Sequence, residues 1–285
     1  MSARSLARAL RLLVLAALVA GDLAPAAGGG PAAKPAPANC RRSAFRVVLD
    51  VGHTLEVPGA MSARGVPEYA FNLKLAEAIQ QALVAAGFDH TVRLITATAP
   101  WRGLFERAAR AKTLRADLFI AIHHDSVPDE LLETWQYEGQ ENHFSDRFSG
   151  YAIFVSNYHP DRAGSLAFGH VLGKALEARG LHYTPHYTLP LMGRHRHQLI
   201  DADAGVYRYD QLVVLMQTRM PAVLLEAGSI VNRQEELELG TPEHRQLIGA
   251  AVAAAVEEFC TARTRALAAK SMSPARDFHP AAAAH

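Results

Sequence analysis

A chain of 285 residues, 49% hydrophobic and 20% charged, suits one medium-sized globular domain with a sizeable core and spare ends. Its formal net charge is +1, and its basic residues are scattered instead of forming the stripe that phosphate neutralisation needs. That excludes a nucleic-acid binder. No internal repeat is visible.

At the N-terminus Arg4, Arg8 and Arg11 precede an apolar run over 12–20, and Ala24-Pro25-Ala26 offers small residues for cleavage. Residues 1–26 therefore read as an export signal, and the protein as periplasmic or secreted. Gly21 and Asp22 stop the apolar run well short of the roughly 20 residues that span a bilayer, so no membrane span is expected in the mature chain. No adjacent arginine pair precedes it, which favours the general secretory route. Residues 27–43 are a Gly/Pro/Ala tract that cannot bury enough apolar surface to order itself, and read as a linker. The folded domain is expected over 44–262, and 263–285 as a frayed helix leading into a disordered tail.

Cys40 and Cys260 are the only two cysteines. In an oxidising compartment they could pair, closing a long loop for a stabilisation on the order of 4–5 kcal/mol in the chain-entropy model. Two separate thiols are the alternative, because spacing alone does not show that the ends meet.

Along the domain, Arg46-Val47-Val48-Leu49 reads as a buried strand that closes in Asp50-Val51-Gly52-His53. A Gly- and Pro-containing loop, 54–66, follows. Pro67 then suits a first helical position, and Leu73, Ala76, Ile79, Leu83 and Ala86 give helical spacing up to Gly87. Strands are expected over 91–95 and 117–122 with a helix over 104–114 between them. Residues 127–149 lack a sustained period and read as an insertion over the strand ends, a candidate lid. A strand over 151–156, a helix over 165–179, a long connection over 182–206, a buried strand over 221–226 and a helix over 246–259 complete the chain. Such alternation predicts an α/β domain, three-layer α/β/α around a mostly parallel, mixed sheet of the phosphorylase/hydrolase-like kind.

Chemistry-bearing side chains stand where apolar runs stop, and parallel sheets build their sites in the crevice outside the carboxyl ends of their strands. His53 follows Gly52, which lets backbone approach a ligand closely. Taken singly, it also fits an ordinary loop residue. Glu68 opens the next helix, where a carboxylate complements the helix dipole or reaches the same crevice. His123 and His124 end the strand after Ile120-Ala121-Ile122, and alternation of side chains lets only one of them face the site. His, Glu and His would give three protein ligands and leave a position for water, the donor set of a catalytic zinc. Glu226 ends Ala222-Val223-Leu224-Leu225, where a carboxylate is costly to bury unless it is paired or used, and it is the candidate general base.

Four segments in order then resemble one family, the zinc-dependent N-acetylmuramoyl-L-alanine amidases that act on bacterial cell walls (the Amidase_3 type). Asp50-Val51-Gly52-His53 resembles the opening zinc motif, Glu68-Tyr69-Ala70-Phe71-Asn72-Leu73 the glutamate-plus-helix segment, and residues 117–126 the second histidine strand. Residues 221–232, PAVLLEAGSIVN, resemble the segment with the catalytic glutamate. The resemblance runs from about Arg46 to Phe259.

It implies Zn2+ held by His53, Glu68 and His123, with His124 not a ligand and Glu226 as general base and acid. It also implies hydrolysis of the amide between the lactyl group of N-acetylmuramic acid and the L-alanine of the stem peptide. The implied substrate is peptidoglycan or muropeptides and the implied state a monomer, with an activator protein admitted as a partner. A zinc peptidase cutting within the stem peptide, and a non-catalytic peptidoglycan-binding module, are the alternatives.

The sequence departs from the family pattern at Thr54-Leu55-Glu56, where a glycine is usual, and at Ser229, where an aromatic is common. Its arginine-rich stretch is represented by Arg102, Arg107 and Arg110. In cell-division amidases of the family a helix that can block the zinc occupies the place of residues 127–149, and Asp129, Glu130, Glu133 and Glu138 could serve so here. A second cluster, His182, His186, His195 and His197, lies in the long connection. His195 and His197 could share a strand face, or stand with Arg194, Arg196 and Arg208 against the anionic stem peptide.

Overall fold

The apolar runs pair side by side as the core of a seven-stranded sheet. A computed structural model describes residues 39–97 and 100–272 of the chain. The expected export signal, most of the linker, and residues 273–285 of the expected tail lie outside the described residues.

The strands are β1 (Val47–Val51), β2 (Thr91–Leu94), β3 (Leu118–Asp125), the pair β4 (Glu133–Tyr137) and β5 (Gln140–Phe144), β6 (Ala152–Val155), β7 (Gln198–Asp201), β8 (Val206–Arg208) and β9 (Ala222–Ser229). The helices are α1 (Glu68–Ala85), α2 (Pro100–Thr113), α3 (Arg162–Glu177), α4 (Val213–Gln217), α5 (Glu235–Leu239) and α6 (Pro242–Met272). In the main sheet the order is β2-β1-β3-β9-β6-β8-β7, and β4-β5 form a separate hairpin. β1 pairs in parallel with β2 and β3, β3 with β9, and β6 with β8, while β6–β9 and β7–β8 are antiparallel. The mostly parallel, mixed sheet is thus as expected.

Both faces are covered, which is why the central strands read as continuous apolar runs and not as alternating ones. On one face Leu49, Ile120 and Val223 pack with Leu75 and Ile79 of α1, Phe168 and Leu172 of α3, and Val252 and Val256 of α6. On the other, Val48, Phe119 and Leu224 pack with Ala111 of α2, Val214 and Leu215 of α4, and Tyr187 and Met192 of the long connection.

Several boundaries differ from expectation. Pro67 caps α1 from outside rather than filling its first turn. β3 and β9 continue past their apolar runs through His123-His124-Asp125 and Glu226-Ala227-Gly228-Ser229. Their polar ends stay paired with each other, so hydrogen bonding carries the strands on where hydropathy stops. The insertion 127–149 holds the β4-β5 hairpin, and the connection 182–206 holds β7, two 3-10 turns and the start of β8. The last helix runs from Pro242 to Met272, longer at both ends than the 246–259 expected for it. Cys40 and Cys260 are disulfide-bonded, with Cα atoms 5.2 Å apart, so the ends of the domain do meet. Among the described residues no helix is long and apolar enough to cross a membrane.

Candidate metal centre and active site

β1 delivers His53 to the strand-end crevice through a tight turn. Gly52 donates its N–H to the Ile122 carbonyl at 3.0 Å, and a Cβ on Gly52 would fall on the His123 ring. His53 itself sits at φ 65°, a left-handed conformation costing on the order of 1–3 kcal/mol for a non-glycine residue. Arg107 of α2 holds it there. Its buried guanidinium donates to the His53 carbonyl at 2.6 Å and to the Val51 carbonyl, and pairs with Asp50 at 2.8 Å.

Glu68, in the first turn of α1, lies between the two imidazoles. His53 Nε2 is 2.8 Å from its Oε2 and His123 Nδ1 is 3.0 Å from its Oε1. Burial alone would raise this carboxyl, but the hydrogen bonds from His123 and His53 outweigh it and hold Glu68 well below the usual range. Ala60 N–H and His124 N–H, each at 3.3 Å, and the Asn72 amide, at 3.0 Å, also donate to Glu68. Gly59, at φ 81°, lies so close to Glu68 and His53 that any side chain there would overlap both.

The candidate ligand atoms of His53, Glu68 and His123 all lie within 4.8 Å of one another. Two imidazoles and a carboxylate on a rigid scaffold, closed in by a glycine, fit a divalent cation of the zinc type. The three donors that fix Glu68, with Arg107 on the backbone of the His53 turn, are the outer support such ligands need.

His124 points to the other face of β3. Its Nδ1–H donates to Asn72 Oδ1 at 2.7 Å, and burial pushes its imidazole down to about 3, leaving it neutral. Asn72 thereby links His124, Glu68 and the Gly52 carbonyl. Its signal in the sequence was spacing: a residue four after Glu68 shares its helix face.

Glu226 of β9 is the register partner of His123 on β3. The residue is half-buried, yet its Oε2 is closed off from solvent without a hydrogen-bond partner. Burial raises its carboxyl well above the usual range, and the nearby carboxylates of Asp125 and Glu68 add to the effect. An orphaned buried carboxylate is a group held ready for a proton or a ligand.

The second histidine cluster does not assemble as a unit. His186 is buried with Nε2 3.5 Å from Asp125 Oδ2, His182 faces Ser149, and His195 and His197 lie just before β7, not on a common strand face. The hairpin of the insertion is docked on the loop before α1, with Trp135 Nε1 donating to the Ala63 carbonyl at 2.8 Å. None of Asp129, Glu130, Glu133 or Glu138 belongs to the metal-ligand group found among the described residues.

Fold and site together define a mixed-sheet α/β domain with a metal-competent centre at its strand ends. The chain belongs to the N-acetylmuramoyl-L-alanine amidase family, Amidase_3, whose model matches residues 47–258. It is 25% identical over 234 residues to the N-acetylmuramoyl-L-alanine amidase AmiC of Neisseria meningitidis serogroup B, a match covering 75% of this chain and 52% of that protein. The chain thus spans about half the length of that relative. In fold it is similar to the amidase Ami1 of Mycobacterium smegmatis (TM-score 0.57, 19% identity, 76% of this chain and 97% of that one). It is likewise similar to the catalytic domain of CwlV from Bacillus (Paenibacillus) polymyxa (TM-score 0.54, 25% identity, 75% and 97%).

Proposed function

We propose that this protein is a zinc-dependent N-acetylmuramoyl-L-alanine amidase acting outside the cytoplasm. Its substrate is the amide between the lactyl group of N-acetylmuramic acid and the L-alanine of the stem peptide, in peptidoglycan or its fragments. The observation that carries this reading is the register pairing of His123, one of three convergent ligands, with the orphaned Glu226, within a chain of this family.

His53, Glu68 and His123 would hold the ion. Bound there, zinc would supply Lewis-acid polarisation of the amide carbonyl and a lowered pKa for the attacking water. Arg107 fixes the His53 backbone, and Asn72 with the Ala60 and His124 amides fixes the Glu68 carboxylate, so the donors do not reorganise during reaction. Glu226 accepts a proton from the attacking water and returns it to the departing alanine nitrogen, restoring its own state at the end of the cycle.

Digestion of purified peptidoglycan with and without a chelator, followed by identification of the new amine, tests the reading. Chelator-sensitive release of peptides beginning in L-alanine is expected. New amino termini inside the stem peptide would replace it with the peptidase reading, and bound zinc without hydrolysis would replace it with the binding-module reading.

A further inference from the structure

Regular strand pairing stops at Glu226 on both of its sides. Towards β6 the antiparallel register sets Phe154 opposite Leu224, Ile153 opposite Leu225 and Ala152 opposite Glu226. It ends there, because Tyr151 turns instead to pair with Tyr183. Towards β3 the parallel register holds from Phe119 beside Ala222 to His123 beside Glu226, then shifts before Asp125 meets Ser229. The candidate proton carrier is thus the last residue of β9 in an unbroken ladder, and the backbone after it needs another restraint.

Glu235, at the start of α5, supplies one. Continued past Ala152, the β6 register would set Gly150 opposite Gly228. Gly150 instead donates its N–H to Glu235, 2.9 Å from Oε1 and 3.1 Å from Oε2, and Ser229 donates its N–H to Oε2 at 2.9 Å. One carboxylate therefore takes an amide from the segment entering β6 and an amide from the tail of β9, a side-chain rung where the backbone ladder ends. Gly228 leaves room for it, since a Cβ there would stand 2.9 Å from Glu235 Oε1.

Asn232 aims the carboxylate. Its buried side-chain oxygen accepts the N–H groups of Gln234 and Glu235, each at 3.0 Å. Its Nδ2 donates to the carbonyls of Phe148 at 3.1 Å and Asp146 at 3.3 Å. The start of α5 is thereby tied to the segment that leads into β6, and Glu235 reaches Gly150 and Ser229 from a fixed base.

We propose that Glu235 is a positioning residue: by bridging Gly150 and Ser229 it fixes the backbone of β9 at Glu226, and with it the place from which Glu226 exchanges its proton. The inference rests on the amidase reading for the bond that is cut and on Glu226 as the proton carrier. Proton transfer needs a heavy-atom separation of about 2.6–3.2 Å. A displacement of about 1 Å, worth on the order of 100-fold in rate, would slow the chemistry while leaving ion and substrate bound.

Steady-state kinetics on a zinc-loaded protein with a muramoyl-L-alanine peptide tests it. Glu235→Leu removes both acceptor oxygens and should lower kcat by roughly 10- to 100-fold, with KM and metal content unchanged. Glu235→Gln keeps one acceptor oxygen and should fall between that variant and wild type; it also carries the test should Glu235→Leu fold poorly. Amide hydrogen exchange at Gly150 and Ser229, followed by NMR without metal, should quicken in both.

The deciding comparison is made in Glu226→Gln. With the proton carrier gone, either change at Glu235 should cost no further turnover. Losses that multiply in the double variants, a loss carried by KM or by metal content, or unchanged amide exchange overturn the positioning role. Wild-type hydrolysis together with wild-type kcat in both Glu235 variants removes this inference alone. A zinc-loaded wild type that releases no L-alanine amine removes the amidase reading, and the inference with it.

Discussion

His123 and Glu226 are register partners on adjacent parallel strands, β3 and β9, and their side chains leave the same face of the sheet. Neighbouring strands lie about 4.8 Å apart, so the candidate ligand and the candidate proton carrier are fixed relative to each other by backbone hydrogen bonds and not by a loop.

This separates binding from turnover. Glu226→Gln should retain the metal and lower kcat by roughly 100- to 10,000-fold, the usual contribution of a general acid–base. His53→Ala and His123→Ala should lose both. Elemental analysis of purified variants, beside amine release from peptidoglycan, checks the separation. Substantial turnover by Glu226→Gln would remove its assigned role.

Arg107 should matter beyond its charge. Its guanidinium answers Asp50 and the carbonyls of Val51 and His53, so Arg107→Met leaves a buried carboxylate unpaired. A loss of about 3–5 kcal/mol is expected in urea unfolding. Asp50→Asn in the same chain should recover part of it, while metal affinity stays weakened because the His53 turn is unsupported. A single variant as stable as wild type would show that the clamp is not needed.

Glu235 gives the fold a pH dependence of unusual sign. Burial raises its carboxyl from the ordinary 4.5 to about 7, although the Ser229 and Gly150 amides partly oppose the shift. Between those two values the folded state binds more protons than the unfolded, so its contribution to stability is fully present below about 4.5 and is lost as pH rises towards 7. Glu235→Gln should remove this slope. The variant should gain on wild type across the window by about 3 kcal/mol, measured by denaturant unfolding at several pH values. A constant difference would refute the assignment.

The disulfide should be worth a large share of the stability. Cys40 and Cys260 are separated by 220 residues, and the chain-entropy model gives about 5 kcal/mol for so long a loop. Cys40→Ser with Cys260→Ser should lower the unfolding midpoint accordingly. Reduction of the wild-type protein should reproduce the effect, and an unchanged midpoint in both would contradict it.

What the sequence determined by itself was local and periodic. Apolar runs at Val48, Phe119 and Val223 announced buried strands, helical spacing announced α1 and α3, and side chains ending those runs nominated His53, His123 and Glu226. Glu68 was legible as a carboxylate heading the helix after His53, but a lone acidic residue in a first helical turn also has an ordinary explanation, and the resemblance decided between the two. Asn72 was legible only as a spacing from Glu68, and Arg107 only as one of three arginines.

The tertiary structure decided which of these meet. Pairing of β3 with β9 set His123 beside Glu226 and sent His124 to the opposite face. Folding brought Arg107 to the carbonyl of His53, 54 positions away. It also packed Tyr187 and Met192 of the connection before β7, which has no hydrophobic period, against the sheet. Periodicity reports the face a side chain takes on its own element. Strand register, the close approach allowed at Gly52 and Gly59, and hydrogen bonds between remote segments decide what that face meets.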